Sequence, residues 1–235
     1  MISVCMTSFN GEKYIEEQIV SILEQITFED ELLISDDGST DETTNIIESF
    51  VRNDSRVKLL HGPKAGLQSN FDFVLSQASG EYIFLSDQDD VWLPDKVKLT
   101  LSKLEIYNLV VSDCYIVDDK LRIISDSFYE SNGLRVGVFS NLYKNSFLGC
   151  CMAFDRKILD CVLPFPKNIP MHDWWIGLVS SVKFNVKFTD EKLIYYRRHS
   201  SNASPTSQKS TNSLIVKIRH RIFLGTQVLF RLLNY

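Results

Sequence analysis

The stretch ISVCMTSFNGEKYIEEQIVSILEQITFEDELLISDDGST, residues 2–40, changes periodicity twice. ISVCMTS (2–8) and ELLIS (31–35) are short apolar runs of strand length. Between them Ile15, Ile19, Ile22, Leu23 and Ile26 recur at spacings of four, three, one and three, which sets them on one face of a helix. The alternation continues outward. RVKLL (56–60) and EYIFLS (81–86) read as strands three and four. GSTDETTNIIESF (38–50) reads as a helix opened by Ser39 or Thr40, with Glu42 closing a capping box. GLQSNFDFVLSQASG (66–80) reads as a third helix with Gly80 as its C′ residue. Strands and helices that alternate through short connections take right-handed crossovers. They predict an α/β fold, a doubly wound and mostly parallel sheet flanked by helices.

Further strands are expected at LVVSDCYIV (109–117), SFLGCCMAF (146–154) and VKFTDEKLIYY (186–196), with MHDWWIGLVSS (171–181) as a helix. SSNASPTSQKSTNS (200–213) has linker composition, and 214–235 reads as a basic, strongly apolar helix. The expected organisation is one domain over 1–199, divided into 1–107 and 108–199, then the linker and the C-terminal helix. With 235 residues, 44% apolar and 11% aromatic, the chain holds one well-packed core and is neither disordered nor fibrous.

Charge is unevenly spread. Of 25 basic residues eight lie from Lys192 onward, where no Asp or Glu occurs, leaving 17 against 30 acidic residues before it. An acidic body of −13 therefore carries a basic tail, although the whole chain is only −5. The apolar run at Ile2 follows no basic segment and is broken by Thr7 and Ser8, so no secretory leader is expected. No stretch of about 18 apolar residues free of charge occurs, which excludes a conventional spanning helix. Five cysteines without a C-x-x-C pair read as reduced, cytosolic thiols packed as small apolar groups.

In doubly wound sheets ligands bind at the carboxyl ends of the strands, and the polar clusters fall there. SDQDDVW (86–92) follows strand four with three carboxylates in four residues. Asp87 and Asp89, two apart, point the same way in an extended loop and can grip a hard divalent ion, Mg²⁺ or Mn²⁺; a solvated acidic turn is the plainer reading. An EF-hand fails, because Trp92 stands where that loop needs Gly and Lys98 where it needs Glu.

DDGSTDET (36–43) sets a carboxylate where it can accept the imide N–H of a pyrimidine base, or form an ordinary turn. TSFN adds Thr7 as a hydroxyl and Phe9 as a flat surface for a base. MHDWWIG (171–177) puts Asp173 beside two tryptophans as a possible base, or simply as an acid at a helix start. YYRRHSSN (195–202) offers Arg197, Arg198 and His199 to a diphosphate or metal, or to solvent at a strand end.

Taken together these clusters resemble the family 2 glycosyltransferases of GT-A fold. SVCMTSFNGEKYIEEQIVSIL, DDGSTDET, GEYIFLSDQDDVWLPDK, HDWW and YRRHSSN stand in the family's order over residues 1 to about 205. The set looks most like the bacterial O-antigen and capsular-polysaccharide branch, often labelled rhamnosyltransferases. The resemblance implies that Thr7, Phe9, Asn10, Asp37, Asp87 and Arg198 bind a UDP- or dTDP-sugar. It implies Asp87, Asp89 and His199 as metal-site residues, with Asp89 the direct ligand, and Asp173 as the base that deprotonates the acceptor hydroxyl. Position 172 is His where many relatives have Glu or Asp, and position 9 is Phe where Tyr is frequent.

An inverting, metal-dependent transfer is expected, to a saccharide carried on undecaprenyl diphosphate. The C-terminal helix, with Lys217, Arg219 and Arg221, is expected to lie on the anionic inner face of the cytoplasmic membrane. Nucleic acid is not an expected partner. A nucleotidyltransferase would show a Gly-rich phosphate loop with a basic residue after strand one, which TSFNGEKY lacks. A glycoside hydrolase has no use for a base-binding strand end, and an inactive sugar-nucleotide-binding module has no use for Asp173.

Overall fold

The computed structural model describes residues 1–199, 202 and 213–234. The expected linker, 200–213, lies outside the described residues except for Asn202 and Ser213. The first half alternates strand and helix: β1 (Ile2–Ser8), α1 (Ile15–Leu23), β2 (Glu31–Asp36), α2 (Thr43–Asn53), β3 (Val57–His61), α3 (Leu67–Gln77) and β4 (Tyr82–Asp87). Then follow β5 (Val91–Trp92), α4 (Lys96–Leu104), β6 (Leu109–Val117), β7 (Ile123–Ser125), α5 (Phe128–Asn132) and α6 (Val138–Tyr143). A 3₁₀ turn at Gly149–Cys151 leads into β8 (Met152–Asp155), α7 (Lys157–Val162), α8 (His172–Lys183), β9 (Val186–Arg197) and α9 (Leu214–Leu233).

One sheet runs through both halves in the order β3-β2-β1-β4-β8-β6-β9-β5, with β7 paired to β6. The expected parallel order holds for β3-β2-β1-β4 and for β6 beside β9. β8 and β5 pair antiparallel to their neighbours, a mixture the strand patterns did not announce because these strands are four and two residues long. Both faces of β1 and β2 are buried, as their unbroken apolar runs require. Ile15, Ile19 and Ile22 of α1 are wholly buried, each worth about 1.5–3 kcal/mol of apolar transfer. All five cysteines are buried and unbridged.

Two local expectations are corrected. α2 begins at Thr43, not after Ser39 or Thr40. Ser39 Oγ instead donates to Asp36 and receives the Asn10 N–H, while Asp41 accepts the backbone N–H and the hydroxyl of Thr43. Gly80 is no helix cap, because α3 ends at Gln77 and Ala78 is already extended. It is glycine for space: a Cβ there would lie 2.5 Å from the Ser3 nitrogen of β1.

α9 packs against α8 and α6 through buried Leu224 and Val228. Arg231 donates to the carbonyls of Cys161, Leu163 and Pro164 and stacks over Trp175. The side turned away from the domain exposes Ile215, Ile218, Ile222, Leu229, Phe230 and Leu233. No helix among the described residues is long and apolar enough to cross a membrane.

Candidate active site

Register assembles the site. Parallel pairing sets Thr7 of β1 opposite Asp87 of β4, and Ser8 opposite Asp36 of β2, so three loop systems leave the sheet at one level. A cavity of about 500 Å³ opens above these strand ends. Thr7, Phe9, Asp37, Asp87, Asp89 and Asp173 all line it.

The two neighbouring acids after β2 do different work. Asp36 is buried and satisfied by the chain itself, accepting from the N–H groups of Gly38 and Ser39 and from the hydroxyls of Ser8 and Ser39. Asp37 turns to the cavity and accepts the N–H groups of Lys64 and Gly66 at 2.7 and 2.8 Å. A carboxylate has about four lone-pair positions, so Asp37 keeps acceptor capacity for a ligand.

Phe9 is 55% exposed, which suits a stacking platform and not a core residue. Its backbone is held by the Gln88 amide, which accepts the Phe9 N–H at 2.9 Å and donates to the Phe9 carbonyl at 3.0 Å. Gly11 makes room for this staple, since a Cβ there would overlap Gln88. Asn10 is not among the cavity-lining residues. In the left-handed region at φ 49°, it accepts the Thr40 N–H and braces the loops after β1 and β2.

On the opposite wall the acids crowd. Burial, with Asp89 and Asp173 nearby, pushes the Asp87 carboxyl up to about 8. Asp89 Oδ2 lies 2.9 Å from His199 Nε2 and accepts from the Asn202 amide at 3.0 Å. The His199 ring stacks on Tyr14. Asp90 points inward, fully buried; Oδ1 accepts the Arg197 N–H, and burial beside the other two acids raises its carboxyl well above the usual range.

Asp87, Asp90 and Cys150 also bring possible ligand atoms within 4.8 Å of one another. That grouping suits a hard dication poorly, because it includes a thiol and lies beside the buried ammonium of Lys96. Asp87 and Asp89 line the cavity and His199 lies on Asp89; two carboxylates and an imidazole are donor types that suit Mg²⁺ or Mn²⁺. An unneutralised cluster that raises its own proton affinity is the chemistry a dication relieves.

Arg197 does not serve as a free diphosphate ligand. It is buried, pairs with Glu17 at 2.5 Å, and donates to the carbonyls of Asp89 and Asp119 at 2.7 and 3.0 Å. It clamps the acidic loop to α1 and to the turn after β6. Arg198 is not among the cavity-lining residues; its guanidinium lies over Tyr196, which is.

Asp173 opens α8 from a buried position. Its Oδ1 accepts the Trp174 N–H at 2.5 Å, yet burial outweighs its hydrogen bonds and pushes its carboxyl up to about 7. Trp174 is fixed in turn by an indole N–H donated to the Asn141 carbonyl of α6. A carboxylate poised near neutrality, enclosed and facing the cavity, is equipped to take a proton from a hydroxyl.

Seven of the nine expected residues thus converge: Thr7, Phe9, Asp37, Asp87, Asp89 and Asp173 on the wall, with His199 on Asp89. Asn10 and Arg198 stand off the wall. Sequence reasoning passed over Gln88, Asp90, Lys96 and Asn202. All four lie within the motifs SDQDDVWLPDK and YRRHSSN, but nothing in the sequence said that Asp90 faces inward or that Lys96 is buried.

The family model for Glycosyl transferase family 2 matches residues 3–163. The dTDP-rhamnosyl transferase RfbG of Shigella flexneri is 29% identical over 219 residues, 84% of this chain and 72% of the relative. The UDP-Glc:alpha-D-GlcNAc-diphosphoundecaprenol beta-1,3-glucosyltransferase WfgD of Escherichia coli is 28% identical over 213 residues, covering 89% and 81%.

Among solved structures, S. aureus TarS 1-349 in complex with UDP aligns at TM-score 0.68 and 20% identity, covering 84% of this chain. The chain spans 60% of that protein's length. Glucosyl-3-phosphoglycerate synthase of Mycobacterium tuberculosis, with Mn²⁺, UDP and phosphoglyceric acid, aligns at TM-score 0.62 and 18% identity, covering 98% and 78%. Its sheet and its match over more than half its length agree: the chain is a GT-A-fold glycosyltransferase and belongs to glycosyl transferase family 2.

Proposed function

We propose that the protein transfers a sugar, with inversion at the anomeric carbon, from a UDP- or dTDP-sugar to a hydroxyl of a lipid-linked saccharide in bacterial surface polysaccharide synthesis. The observation that carries this reading is the joining, in one cavity, of the strand-end residues Thr7, Phe9 and Asp37 with Asp87, Asp89 and Asp173. RfbG is named for a dTDP-rhamnosyl donor, and WfgD for a UDP-glucose donor and a diphosphoundecaprenol-linked acceptor, which supports both halves of the reading.

Phe9 stacks on the base and Asp37 accepts its imide N–H, while Thr7 sits at the ribose side. Asp87, Asp89 and His199 would hold a divalent cation, which when bound would supply charge neutralisation for the leaving diphosphate. Asp173 takes the proton of the attacking acceptor hydroxyl, on the face of the sugar away from the diphosphate. Attack from that face in a single displacement inverts the centre. Arg197 keeps Asp89 in place by holding its carbonyl.

The test is nucleotide release from a panel of UDP-sugars and dTDP-rhamnose with Mn²⁺. The expected result is release above background with one donor, accelerated by a saccharide acceptor. No release with any donor from the folded protein overturns the reading.

The exposed side of α9 is read as the membrane contact, at the inner face of the cytoplasmic membrane. It combines an apolar stripe at Ile215, Ile218, Ile222 and Leu229 with basic residues and no acid over 214–233. Because Leu224 and Val228 are buried against the domain, substitution on the outer side is a cleaner probe than deletion. Ile218→Glu with Ile222→Glu is expected to cut co-sedimentation with anionic liposomes by about tenfold; unchanged binding rejects the membrane role.

A further inference from the structure

The first residue of α8, His172, is 2% exposed and lines the cavity beside Asp173. Its ring stacks on Phe71 with centroids 3.7 Å apart and planes 20° from parallel. Both ring nitrogens are buried, and neither has a hydrogen-bond partner among the described residues. Nearly all buried polar atoms in folded proteins are paired, so two orphans on one ring mark a place kept for something else.

The space beside the ring is also kept open. At position 149 a Cβ would lie 2.8 Å from His172 Nε2, and glycine stands there. Burial pushes the imidazole down to about 3, so the ring is neutral at physiological pH and offers one donor and one acceptor. Such a ring matches a hydroxyl, which can both accept and donate, better than it matches a phosphate or a carboxylate.

The surroundings narrow the ligand further. Leu148 and Met171 line the cavity next to Gly149 and His172, and Asp87 and Asp173 complete that wall. Lys64, on the loop that meets Asp37, is the only Lys or Arg among the described lining residues, and it stands on the nucleoside side. A sugar carboxylate beside His172 would find no other Lys or Arg among the described lining residues to pair with.

We propose that His172 is a specificity-determining residue that reads hydroxyl groups of the transferred sugar, and that the donor sugar is a neutral hexose or deoxyhexose, not a uronic acid. This rests on the transferase reading above, and it assigns a role to the buried residue that precedes Asp173.

The test compares binding of UDP, dTDP, UDP-glucose, UDP-galactose, UDP-GlcNAc, UDP-glucuronate and dTDP-rhamnose by calorimetry with Mn²⁺, in the wild type and two variants. His172→Phe keeps the stacking on Phe71 and removes both nitrogens. His172→Gln keeps one donor and one acceptor. The expected result is a neutral sugar nucleotide bound more tightly than its free nucleoside diphosphate by the wild type. His172→Phe should weaken that sugar nucleotide at least about tenfold, the worth of one buried hydrogen bond, and leave the nucleoside diphosphate within about twofold. His172→Gln should recover most of the loss.

Equal weakening of the nucleotide and sugar nucleotide by His172→Phe would make His172 a structural residue. No weakening, or a preference of the wild type for UDP-glucuronate, overturns the inference as well. If the folded wild type binds neither UDP nor dTDP, the transferase reading itself fails, which separates that failure from this one. Should His172→Phe not fold, His172→Ala replaces it, with retained UDP or dTDP affinity as the control.

Discussion

The acids that end β2 and those that end β4 look alike in sequence, DD against DQDD, but the protein treats them in opposite ways. Asp36 receives four hydrogen bonds from its own chain and Asp37 two, so the β2 end is a finished scaffold with one face left to a ligand. At the β4 end Asp90 and, from α8, Asp173 are buried, Asp87 is half-buried beside them, and all three carry raised proton affinities. Where the chain answers its own charges it builds structure. Where it leaves them unanswered, their proton affinity rises.

Substitution should separate the two ends. Asp173→Asn removes the proton acceptor and is expected to lower transfer about 10²–10⁴-fold while leaving the melting temperature equal or higher, because an uncompensated buried acid is gone. Wild-type turnover in that variant would dissolve the distinction. In the wild type, kcat should rise with pH through about 7, since the carboxyl of Asp173 must be ionised to act and burial pushes it up to about 7.

At the β2 end the effect should fall on stability. Asp36→Ala strips four hydrogen bonds and is expected to cost on the order of 3 kcal/mol, roughly 6–12 °C in Tm. Asp37→Ala should leave Tm within about 2 °C and weaken nucleoside diphosphate binding about tenfold, measured by calorimetry.

The smallest effect is a linkage. Asp87 and Asp173 bind protons more tightly folded than unfolded, so their contribution to stability is full below about pH 4. It is lost as pH rises through about 7 to 8. Without a divalent ion, Tm should therefore fall by about 2–4 °C for each kcal/mol lost between pH 5.5 and 8.5. Mn²⁺ should restore it at the upper pH, and Asp87→Asn with Asp173→Asn should flatten the curve. A flat wild-type curve would mean that the β4 end is as well compensated as the β2 end.

How much of this was legible follows from what each signal measures. Periodicity reports burial of a face, so the strands β1 to β4 and helices α1, α3 and α8 could be read, and the strand ends then gave the location of the site. α2 was set too early because Ser39 and Asp41 are equally good capping residues locally. The choice between them depends on Asp36 and Asn10, which fold in from other loops. Asp36 and Asp37 are interchangeable in a sequence and become distinct only when Ser8 arrives from β1.

Arg197 reads in the sequence as a diphosphate or metal-side residue, or as a solvated strand end, because adjacent cations suit either. Its burial against Glu17 and Tyr14 is a tertiary fact with no local trace. Likewise His172 was visible only as a departure from a pattern, while its two unpaired nitrogens required the packing of Phe71 and Gly149 around it.

The position of β9 has a consequence for assembly. Of the described strands this one comes last in the chain, yet it enters the sheet between β6 and β5, and its final residue holds the carbonyl of Asp89. On the ribosome, the first half can pair β1 with β2 and β4, and β2 with β3, as soon as it emerges. The acidic loop gains its anchor only after Arg197 has left the exit tunnel. The strand ends that line one side of the cavity can therefore form before the acidic loop is fixed.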